Sequence, residues 1–150
     1  MNDPQRLTAT PASLWLRVLA GVYDLFPLLA LWFFATVSAL ILRGAALDVH
    51  TLSDKLLVQC LVFAFTGAYF VISWLRGGQT IGMKAWRLRV TRADGTPINT
   101  KQALIRYLVA LISLLAIGIG FFWALFDPQK RTWHDIAAKT VLVQMEKAKK

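Results

Sequence analysis

The sequence predicts an all-α membrane protein with two transmembrane helices, a third broken helical segment that either re-enters or spans, and a small cytoplasmic β-hairpin or sheet. Of its 150 residues, 57% are hydrophobic, and three stretches at 25–42, 56–75 and 107–126 contain no Asp, Glu, Lys or Arg. A helix of about 20 such residues crosses the ~30 Å hydrocarbon core of a bilayer. A chain of this length forms one domain.

The start of the chain predicts an uncleaved first span. Residues 1–13 are polar and lack the basic region that leads into the short apolar core of a signal peptide. One membrane domain is expected at 14–145. The predicted parts of the chain are a polar N-terminal segment at 1–13, apolar segments at about 18–42, 56–75 and 103–126, a β-rich connection at 84–99 and a basic tail at 146–150.

The distribution of charge predicts the orientation. The connection at 76–106 carries seven Lys or Arg residues and one acidic residue, whereas the connection at 43–55 has no net charge. Basic residues accumulate in the cytoplasmic loops of membrane proteins. We therefore expect the N-terminus and the 76–106 connection to be cytoplasmic. The basic residues, which give the chain a net charge of +9, would then contact anionic lipid headgroups. No nucleic acid partner is expected.

The third apolar stretch is compatible with two topologies. If it spans, the six basic residues that follow it lie on the outer side. If the glycines at 116–120 break the helix, the chain re-enters and the tail returns to the cytoplasm. Each glycine weakens a helix by about 1 kcal/mol relative to alanine, and non-helical backbone is tolerated in the membrane where protein covers it.

Three short stretches predict a small sheet. Residues 84–92 alternate between apolar and basic side chains, and the Asp-Gly pair at 94–95 suits a tight turn. Residues 140–145 are rich in β-branched side chains and predict a further strand, which would stabilise an otherwise marginal hairpin. The strands can pair only on one side of the membrane, which favours re-entry.

Two charged residues, Arg17 and Asp24, interrupt the first apolar region. They are seven residues apart, so on a helix they point the same way and lie about 10 Å apart along the axis. A third polar group between them would complete a buried cluster. Alternatively, Asp24 caps a helix that begins near Pro27, and Arg17 extends to the headgroups.

Three stretches together resemble the RDD family of small bacterial membrane proteins. The resemblance covers about residues 13–144. Its motifs are LRVLAGVYD at 16–24, GGQTIGMKAWRLRV at 77–90 and FDPQKRTWHDIAAKTV at 126–141.

The family is named for one arginine and two aspartates, which here map onto Arg17, Asp24 and Asp135. The resemblance implies a multi-pass protein of the bacterial inner membrane. It also supplies the third polar group, because a re-entrant segment would return Asp135 to the side where Arg17 begins. An Arg17, Asp24 and Asp135 cluster would carry a charge of −1.

Two functions remain open. An intramembrane carboxylate that binds a proton or cation would make the chain an ion or small-solute transporter, acting as an oligomer through small residues at 64–68. If the cluster is instead a structural lock, the chain is a non-transporting scaffold or accessory subunit. Its basic face of Arg87, Arg89 and Arg92 would then bind anionic lipid or a partner protein.

Catalytic and metal chemistry is not expected. His50 and His134 have no further ligands at metal-site spacing, and the Ser, Cys and His residues show no triad-like pattern. We therefore predict neither an enzyme nor a cofactor. The expected partners are the lipid bilayer and either a second copy of the chain or another membrane protein.

Overall fold

A computed structural model describes residues 10–44, 46–48 and 50–145. Most of the predicted polar N-terminal segment and all of the basic tail at 146–150 lie outside the described residues. The elements are, in chain order, β1 (Thr10–Pro11), α1 (Leu14–Leu42), α2 (Leu52–Gly77), α3 (Ile81–Ala85), β2 (Leu88–Arg92), α4 (Thr100–Leu115), α5 (Ile119–Phe122), a 3₁₀ turn (Trp123–Leu125), α6 (Trp133–Ala137) and β3 (Thr140–Gln144).

The two predicted transmembrane helices are confirmed. Helices α1 and α2 are each long and apolar enough to cross a membrane. Ser13 is the N-cap of α1, and the helix continues through Pro27 without a break. The alternative in which Asp24 caps a separate helix is therefore wrong. Gly78 ends α2 in the left-handed conformation, which glycine adopts without steric cost.

The third segment is broken where the glycines predict a break. Helix α4 starts with a capping box between Asn99 and Gln102, and its axis makes an angle of 111° with the returning segment of α5 and the 3₁₀ turn. The two arms pack closely, because an added Cβ at Gly120 would lie 2.1 Å from Ser113 Oγ. The segment therefore forms a tight hairpin.

A three-stranded antiparallel sheet, in the order β1-β3-β2, fixes the topology. Gln144 of β3 is opposite Thr10 of β1 on one side and Leu88 of β2 on the other. The strands before α1, after α2 and at the C-terminal end thus lie on one side of the membrane. The bent third segment thus returns the chain to the sheet, as the re-entrant alternative predicts.

The predicted β-rich connection contains less strand than expected. The stretch at 84–85 belongs to α3, and β2 begins only at Leu88. The turn at Gly95 forms, with Arg92 N–H donating to Thr96 O at 2.9 Å. The residues after it do not form a second hairpin strand, and β2 pairs with β3 instead.

The described core lies where the sheet packs onto the adjacent helix ends. Leu88 and Val90 face this core, as their alternation with exposed arginines predicts. Gly67 is buried against Tyr107 of α4, since an added Cβ would lie 2.9 Å from that ring. Gly67 therefore packs within the chain, whereas the sequence predicted that it contacts another subunit. The core contains Ala12, Ala20, Trp74, Leu88, Val90, Ile98, Ala103, Tyr107 and Leu142.

Candidate functional site

The Asp24 carboxylate is the centre of one buried network. Only 3% of Asp24 is exposed. Its Oδ1 accepts hydrogen bonds from Tyr69 Oη at 2.6 Å and from Gly82 N at 2.8 Å. Its Oδ2 accepts one from Thr80 Oγ1 at 2.6 Å. The carboxylate therefore links α1 to α2 and to the start of α3.

The local sequence around α3 explains this geometry. Thr80 is the N-cap of α3, and its hydroxyl also accepts a hydrogen bond from Met83 N. The backbone of Gly82 lies against α1, because an added Cβ would lie 2.0 Å from Ala20 O. Glycine at this position lets the N–H of α3 reach the carboxylate directly.

The Asp135 carboxylate forms a second network with two arginines. Arg17 Nη1 of α1 donates to Oδ2 at 2.7 Å, and Arg106 Nη1 of α4 donates to Oδ1 at 2.5 Å. Arg17 also donates to Lys130 O at 2.8 Å. Asp135 and Arg106 are buried, with 0% and 1% exposed. The network joins the first helix, the re-entrant segment and the tail.

Asp135 has a second role in its own helix. The stretch from Thr132 to Asp135 forms a capping box at the start of α6. Asp135 Oδ2 accepts hydrogen bonds from Thr132 N at 3.2 Å and from Thr132 Oγ1 at 3.0 Å. The carboxylate is thus already held by α6 when it meets the arginines.

The charges in the Asp135 network are fixed by their surroundings. Burial alone would raise the pKa of the Asp135 carboxyl, but the charges of Arg106 and Arg17 hold that pKa well below its usual range. Burial, which the charge of Asp135 only partly offsets, lowers the pKa of His134 to about 3. His134 is therefore neutral at pH 7. Two arginines and one aspartate give this hydrogen-bonded group a net charge of +1.

The structure brings two of the three predicted cluster residues together. Arg17 and Asp135 form an ion pair, but Asp24 belongs to the separate network described above. The long Arg17 side chain extends toward the N-terminal end of α1, where it also donates to Ala12 O. This is the direction that helical side chains favour. The predicted single cluster with a charge of −1 is therefore corrected to two networks.

Sequence reasoning missed Arg106 and Tyr69. In the sequence, Arg106 is simply the last basic residue of the connection at 76–106. It is the only charged residue between Lys101 and Asp127, and it shares a helix face with the small residue Ala103 and with Tyr107. That pattern of an arginine on an otherwise buried face was the available signal. Tyr69 offered a weaker signal as a hydroxyl inside an uncharged run.

The predicted basic face is only partly free. Arg87 and Arg89 are exposed, as predicted. Arg92 is half-buried, and its Nε donates to Gln102 Oε1 of α4 at 3.0 Å. Arg89 and Arg76 both line a pocket of about 170 Å³ between the end of α2 and β2.

Metal ligation finds no support among the described residues. No group of three or more His, Cys, Asp or Glu side chains in residues 10–44, 46–48 and 50–145 is arranged to hold a metal ion.

A protein-family model matches most of the chain. The model of the RDD family matches residues 11–139, which include all three residues of the predicted cluster. The chain belongs to the RDD family. No curated protein and no solved structure matches this RDD chain. In it, the arginine and the second aspartate form the ion pair between the first helix and the tail, and the first aspartate holds α3 against α1.

Proposed function

We propose that this RDD protein is a non-transporting scaffold of the bacterial inner membrane that binds anionic lipid headgroups on its sheet side. The state of the two aspartates supports a structural role for the motif residues. Each carboxylate oxygen already accepts at least one hydrogen bond from the protein. A cation carrier needs a carboxylate that can exchange these partners for its cargo, and such an exchange would break the contacts between the helices.

The observation that carries the lipid-binding role is the pocket formed by Arg76 and Arg89. Both side chains are exposed, and neither forms an ion pair with a described residue. Arg76 lies in the last turn of α2, so it is at the level where a membrane helix meets the headgroups. Arginine binds phosphate oxygens with two parallel hydrogen bonds, which makes a phospholipid headgroup the fitting ligand.

The sheet side is assigned to the cytoplasm. Seven basic residues and one acidic residue lie in the 76–106 connection, and this bias favours the cytoplasmic side. Negatively charged lipids at that surface attract basic groups by about 1 kcal/mol per charge. Both termini are then cytoplasmic.

Lipid retention tests the proposed site. The protein is extracted from vesicles containing equal amounts of phosphatidylglycerol and phosphatidylcholine, and the lipids that remain bound are counted. We expect enrichment in phosphatidylglycerol, which the double variant Arg76→Gln/Arg89→Gln reduces at least twofold. The matched control Lys84→Gln/Lys101→Gln removes the same charge from exposed residues of the same side. An equal reduction in both variants would contradict a specific site.

A flux measurement separates the scaffold from a transporter. Proteoliposomes with a proton or sodium gradient are expected to leak no faster than empty vesicles. If the parent protein conducts, and a folded Asp24→Asn variant does not, the chain is a transporter and the scaffold proposal is wrong.

A further inference from the structure

A cavity of about 760 Å³ lies among α1, α2 and α4. This volume is within the ~300–1,000 Å³ typical of small-molecule sites. Most of its walls are aliphatic or aromatic. The lining residues used below are Val58, Trp74, Arg106, Ala110, Leu114 and His134.

The cavity is long in the direction of the membrane normal. On α2 its lining extends from Val58 to Trp74. Sixteen residues of helix correspond to about 24 Å at 1.5 Å per residue, against the ~30 Å thickness of the hydrocarbon core. The cavity thus suits an extended apolar tail better than a compact solute.

One end of the cavity is positively charged. Arg17 and Arg106 both line it, and both are bonded to the single carboxylate of Asp135. The Asp135 oxygens also accept from Thr132, so this carboxylate cannot neutralise a second cation. An excess positive charge in a buried site is costly unless an anion accompanies it.

The same end holds polar atoms without partners. Arg106 Nε and Trp74 Nε1 are buried donors that form no hydrogen bond with the described part of the chain. The buried His134 Nδ1 also has no partner there, but it is an acceptor, because Nε2 of the neutral ring donates to Thr132 Oγ1. All three residues line the cavity, and each is more than nine-tenths buried. A buried donor without an acceptor costs about 1–3 kcal/mol, so Arg106 Nε and Trp74 Nε1 call for an oxygen-rich group.

We propose that this cavity binds a single-chain anionic amphiphile. Its tail lies along α2 and α4, and its carboxylate or phosphate head binds at Arg106 and Trp74. The apolar length accounts for the tail, and the net charge and unpartnered nitrogens account for the head. Water alone would neutralise no charge and is disfavoured along apolar walls. The cavity shares no lining residue with the headgroup pocket at Arg76 and Arg89.

Native mass spectrometry of the full chain in a neutral maltoside detergent tests this site. The probes share one oleoyl chain and differ in the head: oleate, oleoyl lysophosphatidate and uncharged monoolein. We expect one molecule of an anionic probe per chain, bound at least tenfold more tightly than monoolein. The stronger of the two anionic probes identifies the head as a carboxylate or a phosphate.

Variants that fill the cavity test its location. Ala110→Trp and Leu114→Trp each place an indole in the lining, one and two helical turns beyond Arg106 on α4, and should weaken oleate binding at least tenfold. Leu108→Trp is the matched control, because Leu108 is on the same helix, is 52% exposed and does not line the cavity. Equal binding of monoolein and both anionic probes, no binding of either anionic probe, or unchanged oleate binding in both cavity variants would overturn the proposal.

Discussion

Asp24 is a hydrogen-bond acceptor for three protein donors, those of Tyr69, Thr80 and Gly82. An asparagine has the same shape, but one of its two terminal groups is a donor. At least one of the three donors would then lose its acceptor inside a buried site. The residue therefore stabilises the contact of α1 with α2 and α3 through its acceptor oxygens.

We predict that Asp24→Asn lowers the free energy of unfolding by about 1–3 kcal/mol, the cost of a buried unsatisfied polar group. Thermal unfolding in detergent micelles measures this. Asp48→Asn is the control, since Asp48 is exposed in the connection between α1 and α2, and surface substitutions usually change stability by less than ~0.5 kcal/mol. Equal effects of the two substitutions would contradict the proposed role of Asp24.

His134 gives the protein a specific pH dependence. Its pKa in the folded state is lowered to about 3 by burial, below the usual value of about 6.5 in an unfolded chain. The unfolded state therefore binds the proton first as the pH falls. The stability that neutral His134 contributes is complete above about pH 6.5 and is lost progressively below it.

We predict that lowering the pH from 7 to 5 destabilises the parent protein by roughly 2 kcal/mol more than it destabilises His134→Gln. The measurement is the unfolding midpoint of both proteins across this pH range in one detergent. The exposed His50 is present in both proteins and cancels in the comparison. Parallel pH profiles would show that His134 does not remain neutral in the folded state.

At the scale of elements, α3 packs tightly against a neighbouring helix. The backbone of Gly82 touches α1 so closely that a methyl group would overlap Ala20 O. At Gly21, one residue further along α1, an added Cβ would meet no other atom within 4 Å. The two glycines therefore differ in the space that is open to a methyl group.

We predict opposite effects of alanine at these two positions. Gly82→Ala should separate α3 from α1, break the hydrogen bond to Asp24 and lower the unfolding free energy by at least ~1 kcal/mol. Gly21→Ala should be neutral or stabilising by up to ~1 kcal/mol, because alanine favours a helix. Unfolding in micelles measures both, and a tolerated Gly82→Ala would show that the contact is looser than described.

Element types followed from the sequence more closely than their boundaries. The apolar stretches predicted α1, α2 and the broken third segment, because hydrophobic length decides what crosses a bilayer. The alternation at Leu88 and Val90 predicted β2. The short helix α3 was missed, since five residues carry little helical periodicity and their conformation depends on contacts with Asp24.

At the scale of the whole molecule, Asp135 holds together parts of the chain that are distant in sequence. Its ion pairs reach back 118 residues to Arg17 and 29 residues to Arg106. Side chains alone do not reveal such contacts in a sequence, because they depend on the re-entrant hairpin returning the tail to the sheet side. The resemblance to the family indicated Arg17 and Asp135, but not the buried Arg106 between them.

We predict that Arg106→Gln costs about 3–5 kcal/mol of unfolding free energy, since it leaves the buried Asp135 with one cation fewer. Arg131→Gln is the matched control. The Arg131 side chain pairs with Asp127 at 3.0 Å but is 33% exposed, and such pairs contribute about 0–1 kcal/mol. Chemical unfolding of the two variants in micelles measures both effects. A small effect of Arg106→Gln would contradict a stabilising role of the ion-pair network.

Re-entry of the third segment would place the strands at both ends of the described chain, which meet in one sheet, on the same side of the membrane. Single cysteines at Thr10, Gln144 and Ser53, each in a Cys60→Ser background, test it by labelling intact and opened vesicles with a membrane-impermeant maleimide. We predict that Thr10→Cys and Gln144→Cys react from one side of the membrane and Ser53→Cys from the other. Labelling of Gln144→Cys from the side of Ser53→Cys would contradict it.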